Sequence, residues 1–295
     1  MKIQLYFSFF CITLSSFAQK AVDTDVWVGR ITILDAINPV FSTPVNLTNR
    51  KGYDNQPFFA ADNQRLFYST TINNQNDIWV YDFTENVNMH ATKTKESEFS
   101  PKETPDKRYI STVRIDLDSV QRLWKYDQTD LTRKFEVDKS IDSIGYYTWI
   151  AHKSLAWFKI TEPPSLWLQD LDSKKSMLIA NNCGRTFLGY GNDSLITTLI
   201  IDGKRVFAIV PLKNTNKIEY LIDSPDMNSQ DFVVIAINGK KYIWTSFGKK
   251  LVSYEIGSPE RKWNTIADFT KYEIKTINRL AISKDLKRYA FSSEE

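Results

Sequence analysis

Apolar and polar positions alternate in short runs, and these runs recur along the chain. The clearest is Asp77-Ile78-Trp79-Val80-Tyr81-Asp82. It is echoed by Arg122-Leu123-Trp124-Lys125-Tyr126-Asp127, by Ser165-Leu166-Trp167-Leu168-Gln169-Asp170 and by Asp25-Val26-Trp27-Val28, with weaker copies centred on Phe207 and Leu251. Period-two alternation of this length predicts strands half-buried on a sheet. The centres at 27, 79, 124, 167, 207 and 251 are 52, 45, 43, 40 and 44 residues apart. A period near 45 predicts the four-stranded blades of a β-propeller, because one such sheet cannot cover both of its faces alone.

A hairpin pattern precedes each centre after the first. Pro57-Phe58-Phe59-Ala60 meets Arg65-Leu66-Phe67-Tyr68 across Ala61-Asp62-Asn63-Gln64, and a second copy turns at Pro105-Asp106-Lys107-Arg108 into Tyr109-Ile110-Ser111-Thr112-Val113. Further turns fall at Ala151-His152-Lys153-Ser154, at Gly191-Asn192-Asp193-Ser194 and at Asn238-Gly239-Lys240. Asp, Asn and Gly suit them because they bond the local backbone or accept left-handed dihedrals. The last hairpin joins Leu280-Ala281-Ile282-Ser283 to Arg288-Tyr289-Ala290-Phe291-Ser292, and no centre follows it. The first centre, Val26 to Ile33, has the opposite defect. It is followed by an outer-strand candidate at Val45-Asn46-Leu47-Thr48 but preceded by no hairpin. The two halves make one blade, so the expected fold is all-β: a six-bladed propeller of four-stranded antiparallel blades, closed by N-terminal outer strands against the C-terminal hairpin. Closure removes the open edges that invite aggregation.

Residues 1–18 break this pattern. Met1-Lys2, an apolar run through Leu14 and small residues at Ser16 and Ala18 have the three parts of a signal peptide, with cleavage expected before Gln19. About 13 apolar-biased residues are short of the roughly 20 that span a bilayer, so no membrane span is expected. Cys11 lies within the apolar run after Phe9-Phe10, not behind the small residues that precede a lipid-modified cysteine. Residues 19–295 then form a single propeller of 277 residues, about 46 per blade. Forty aromatics against 10 Gly and 10 Pro agree with a strand-rich core.

Removing Lys2 with the leader leaves 37 basic against 35 acidic side chains, a net charge of +2. No basic run longer than two follows, so a phosphate-tracking stripe is absent and nucleic acid is not an expected partner. Cleavage also leaves Cys183 as a lone thiol. It is expected to be a small buried apolar residue, with no internal disulfide and stability drawn from core burial.

The apolar strand, Pro-Asp-type turn, second apolar strand and Asp-Ile-Trp-Val-Tyr-Asp run resemble the WD40-like repeats of TolB-type six-bladed propellers. Copies 57 to 82 and 105 to 127 carry the resemblance most closely, with Lys107 where the family has Gly after Pro-Asp. The resemblance implies a propeller that binds partner proteins of the cell envelope. The extra domain that precedes the propeller in TolB is not expected here, because few residues separate the leader from Asp25.

Candidate chemistry is sparse. His90 falls on an expected outer strand and His152 in a turn, too far apart in the repeats to make the multi-histidine metal site of propeller lyases. Gly191-Asn192-Asp193-Ser194-Leu195 interrupts the Gly-Asp-Ser-Leu of certain esterases, and no Gly-x-Ser-x-Gly elbow occurs. Asp116 and Asp118 have the alternate spacing of part of a calcium loop but lack its remaining ligands. Trp27, Trp79, Trp124 and Trp167 repeat once per blade, which points to packing between blades. Trp149, Trp157, Trp244 and Trp263 lie outside that register and are the better ligand candidates. No catalytic, cofactor-binding or metal-binding residue is assigned. The expected function is that of a monomeric, periplasmic or secreted, non-catalytic module of a bacterial cell envelope that binds a protein, peptide or glycan. The alternative is a lyase or glycoside hydrolase using paired carboxylates in the central channel.

Overall fold

The computed structural model describes residues 22–33 and 38–294. The expected leader and Cys11 lie outside the described residues. All regular structure among the described residues is strand, and no helix there is long and apolar enough to cross a membrane.

The ring begins with β1 (Thr24–Thr32), flanked outside by the short β2 (Val40–Phe41) and β3 (Val45–Asn46). Blade one is β4 (Asp54–Phe59), β5 (Arg65–Ile72), β6 (Gln75–Asp82) and β7 (Val87–His90). Blade two is β8 (Ser97–Glu103), β9 (Tyr109–Ile115), β10 (Gln121–Asp127) and β11 (Asp130–Glu136). Blade three is β12 (Ile144–Ala151), β13 (Ser154–Lys159), β14 (Ser165–Asp170) and β15 (Lys175–Asn181). Blade four is β16 (Cys183–Tyr190), β17 (Ser194–Ile201), β18 (Lys204–Pro211) and β19 (Glu219–Asp223). Blade five is β20 (Phe232–Ile237), β21 (Lys240–Phe247), β22 (Lys250–Glu255) and β23 (Asn264–Asp268). Blade six joins β24 (Asn278–Ile282) and β25 (Arg288–Glu294) to β1.

Each repeat centre sits in the third strand of its blade, and the closing pair is as expected. β1 runs antiparallel to β25 from Thr24 opposite Glu294 to Arg30 opposite Arg288. Gly29 faces Tyr289 there, and a Cβ on Gly29 would lie 2.3 Å from that phenol ring. The missing side chain is what lets the ring close over β1. The expected outer strand over 45–48 is instead split between β2 and β3. The Asp25 carboxylate accepts from Asn46 Nδ2 (2.6 Å), Thr48 Oγ1 (2.9 Å) and the Arg50 backbone N–H (3.3 Å), which bends residues 46–50 around it and out of strand geometry.

The core is a set of wedges between adjacent blades. Ile235, Trp244 and Leu251 of blade five pack with Leu280, Tyr289 and Phe291 of blade six, and Val26 and Ala290 of blade six pack with Phe59, Leu66 and Tyr68 of blade one. Comparable clusters fill the other four joints. Each fully buried large apolar side chain contributes about 1.5–3 kcal/mol, so much of each blade's stabilisation comes from its joints with its neighbours. Trp27, Trp79 and Trp167 border these clusters, as their period implies, whereas Trp124 lies under Arg114, whose guanidinium carbon is 3.4 Å from the ring centroid.

Candidate functional site: a basic axial cavity

The first strands β4, β8, β12, β16, β20 and β24 face the axis. A regular strand would send alternate side chains inward, yet all of these except β20 shift register against their neighbour. Such bulges twist a strand and re-aim a side chain. Gln56, Ser100 and Arg279 occupy the bulges of β4, β8 and β24 with positive φ of 58°, 54° and 52°. Pro57 and Pro101 follow two of them, tolerated because a bulge leaves a backbone position with no ladder bond to lose.

A bulge also leaves an N–H without its ladder partner, and here the preceding blade supplies one. Gln56 Oε1 accepts the Ser100 N–H at 2.7 Å. At the equivalent joint between blades five and six, Asp231 Oδ2 accepts the Arg279 N–H at 3.0 Å. Asp231 is therefore the charged counterpart of Gln56, and its charge gathers two guanidiniums. Arg185 engages it in a fork, with Nε at 2.9 Å from Oδ1 and Nη2 on Oδ2, while Arg279 Nη1 lies 3.6 Å from Oδ1. Burial alone would raise the Asp231 carboxyl, but Arg185 and Arg279 outweigh it and hold the group far below the ordinary carboxylate range.

These strands enclose a cavity of about 240 Å³ whose lining includes Phe58, Lys102, Tyr146, Arg185, Asp231 and Arg279. Arg279 Nη2 donates to the Tyr146 hydroxyl at 2.9 Å. Desolvation, with a smaller push from Arg279, lowers the Lys102 ammonium to about 8. Tyr53, Gln56, Phe99, Ile115, Phe158 and Ile160 line a mouth that shares Gln56, Tyr146 and Arg279 with the cavity. The mouth lies at the starts of first strands and the ends of second strands, which fixes the face on which it opens. Ile72, Leu117, Ile160, Ile201 and Phe247, at the turns between second and third strands, expose apolar surface on that same face.

Asp231 is the one carboxylate in the cavity lining, and both of its oxygens are engaged. Two carboxyl groups flanking the substrate are what canonical glycoside hydrolysis uses, and this lining provides no second one. A buried carboxylate pair does exist, away from the axis. Glu98 of β8 lies beside Asp77 of β6 and accepts from Tyr126 Oη at 2.8 Å. Burial, followed by Asp77, raises Glu98 to about 7 despite the bonds from Thr94 and Tyr126. A raised folded pKa gives stability that is full below the unfolded value and lost as pH rises through the folded one. Stability from this group should therefore fall between about pH 4.5 and 7. Glu98→Gln should remove that slope from the pH dependence of the urea midpoint while leaving the fold intact.

The residues singled out in the sequence are scattered. His90 is exposed on β7, its ring 4.0 Å from that of Trp79, and His152 lies in the β12–β13 turn. Asp116 and Asp118 pair with Arg122 at 3.0 and 2.8 Å, so their charges serve the β9–β10 turn. Cys183 is buried, which pushes its thiol up to about 12. Trp157 and Trp244 are core residues, Trp149 donates to Ser111 Oγ and Trp263 to the Asp223 carbonyl; none of the four lines the cavity. Among the described residues no group of three or more His, Cys, Asp or Glu side chains is placed to hold a metal ion. Sequence inspection missed Lys102, Arg185, Asp231 and Arg279. Aligning Gln56-Pro57-Phe58 with Ser100-Pro101-Lys102 and Arg279-Leu280-Ala281 would have placed Lys102 and Arg279 at inward positions.

No family model and no curated protein matches the sequence. Among solved structures, a putative TolB from Agrobacterium tumefaciens superposes with a TM-score of 0.67 at 11% identity, over 93% of this chain and 99% of that one. TolB from Acinetobacter baumannii gives 0.56 at 12% identity over 91% of this chain, which spans 64% of that protein. An oligogalacturonate lyase in complex with manganese gives 0.56 at 10% identity, over 88% of this chain and 83% of the lyase. The likeness is one of fold and agrees with the TolB-type repeat pattern. A fold shared by TolB and a lyase leaves function to the residues of the site.

Proposed function

We propose that this protein is an exported, non-catalytic propeller of a bacterial cell envelope, delivered by a signal peptide cleaved near Ala18. Residues 19–295 act as a monomeric domain that binds a protein, peptide or glycan at the open end of the axial cavity. The observation that carries this reading is the cavity lining, with three cations and a single carboxylate already held by two of them. That set suits recognition of a ligand and offers no paired carboxylates for glycoside hydrolysis. The test is capture from envelope extracts with residues 19–295 as bait. Ile160→Asp at the mouth should abolish capture of a partner that Lys153→Asp, on the opposite face, still retains. Equal capture by both variants, or turnover of a polysaccharide panel by the wild type, would overturn the reading.

A further inference from the structure

The charges around the axis do not balance. Lys102, Arg185 and Arg279 bring three positive charges to the cavity and Asp231 one negative, which leaves a net +2. Asp231 has nothing more to give, because its oxygens already meet both guanidiniums and the Arg279 N–H. The Lys102 ammonium makes no hydrogen bond or ion pair with any described residue and rests 5.7 Å from the centroid of the Phe58 ring. Like charges gathered in a partly enclosed cavity without matching counter-charge raise the local concentration of anions. Arg279 also keeps guanidinium N–H donors beyond those directed at Tyr146 and Asp231.

We propose that the axial cavity is an anion site for a small doubly charged oxyanion, a dicarboxylate or a phosphate monoester, with Lys102 and Arg279 as its charge partners. This rests on the axial cavity being the binding site and adds the chemical class of what enters it. Guanidinium and ammonium donors suit carboxylate and phosphate oxygens. Phe58, Phe59, Phe187, Phe232 and Leu280 supply apolar walls, so the fitting ligand has a short hydrocarbon body between or behind its charged ends. The anion is either free in solution or the charged end of a larger partner seated on the mouth.

Thermal unfolding of residues 19–295 in succinate, glycerol phosphate or inorganic phosphate, against sodium chloride at equal ionic strength, tests this. One of these anions should raise the melting temperature by about 5 °C or more at saturation. Whether succinate or the phosphates act assigns the oxyanion. Lys102→Met should melt no lower than the wild type without ligand and should lose at least about tenfold in apparent affinity, and Lys102→Arg should restore the response. No shift beyond the chloride control, or an undiminished response in Lys102→Met, overturns the anion site. Partner capture that persists in the wild type under that result leaves the proposed function standing. An anion response without any partner capture sinks that function and not this site.

Discussion

Asp231→Asn is expected to lower the free energy of unfolding by about 3 kcal/mol, because removing one member of a buried ion cluster strands the others. The amide still accepts the Arg279 N–H, as Gln56 does for Ser100 at the equivalent joint, so the backbone bond survives. What is lost is the neutralisation of Arg185 and Arg279. Urea unfolding reads the effect directly, and Arg185→Met in the same chain should recover part of it. The pH dependence carries a second signature. A carboxylate with a depressed folded pKa gives stability that is present above its unfolded value and lost as pH falls through the folded one. The wild type should thus lose stability below about pH 4, and Asp231→Asn should lack that component. An unfolding free energy for Asp231→Asn equal to that of the wild type would remove the electrostatic account of the cavity.

Phe291→Ala should cost about 4 kcal/mol, since emptying a fully buried aromatic site costs 3–5 kcal/mol. Phe291 stacks on Tyr289 and meets Phe269, and it stands opposite Trp27 in the closing pair. Its removal loosens the wedge between blades five and six and the seam between β1 and β25 together. Hydrogen exchange should therefore show residues 24–30 and 288–294 losing protection in one step. Exchange that rises in β25 while β1 stays protected would mean that the seam is not a cooperative unit.

The architecture was legible because its signals are local and repeated. Trp79, Trp124 and Trp167 mark third strands through alternation that any single blade displays, and turns such as Pro105 to Arg108 punctuate the hairpins. The unpaired halves at the two ends predicted the β1–β25 seam by elimination. The cavity was not legible for a physical reason. Lys102, Arg185 and Arg279 sit at or beside bulges, where two-residue alternation fails, so no strand pattern marks them as inward-facing. The Asp231–Arg279 contact spans 48 residues and Arg185–Asp231 spans 46, about one repeat each, with no shared motif to link them. Blade six also hid the split of its outer edge, because the bend depends on Asp25 reaching across to Asn46, Thr48 and Arg50.

The seam gives the molecule a front and a back. Thr24 stands opposite Glu294 at the end where second strands finish, which is the side on which the mouth opens. A purification tag or fluorophore fused at residue 22 or 294 therefore emerges beside the opening and crowds whatever approaches it. The turn at Gly191 to Asp193 lies on the far side, with no heavy atom within 4 Å of a Cβ built on Gly191. A label inserted there leaves the entrance clear, and the choice between the two placements determines whether a weak ligand is seen at all.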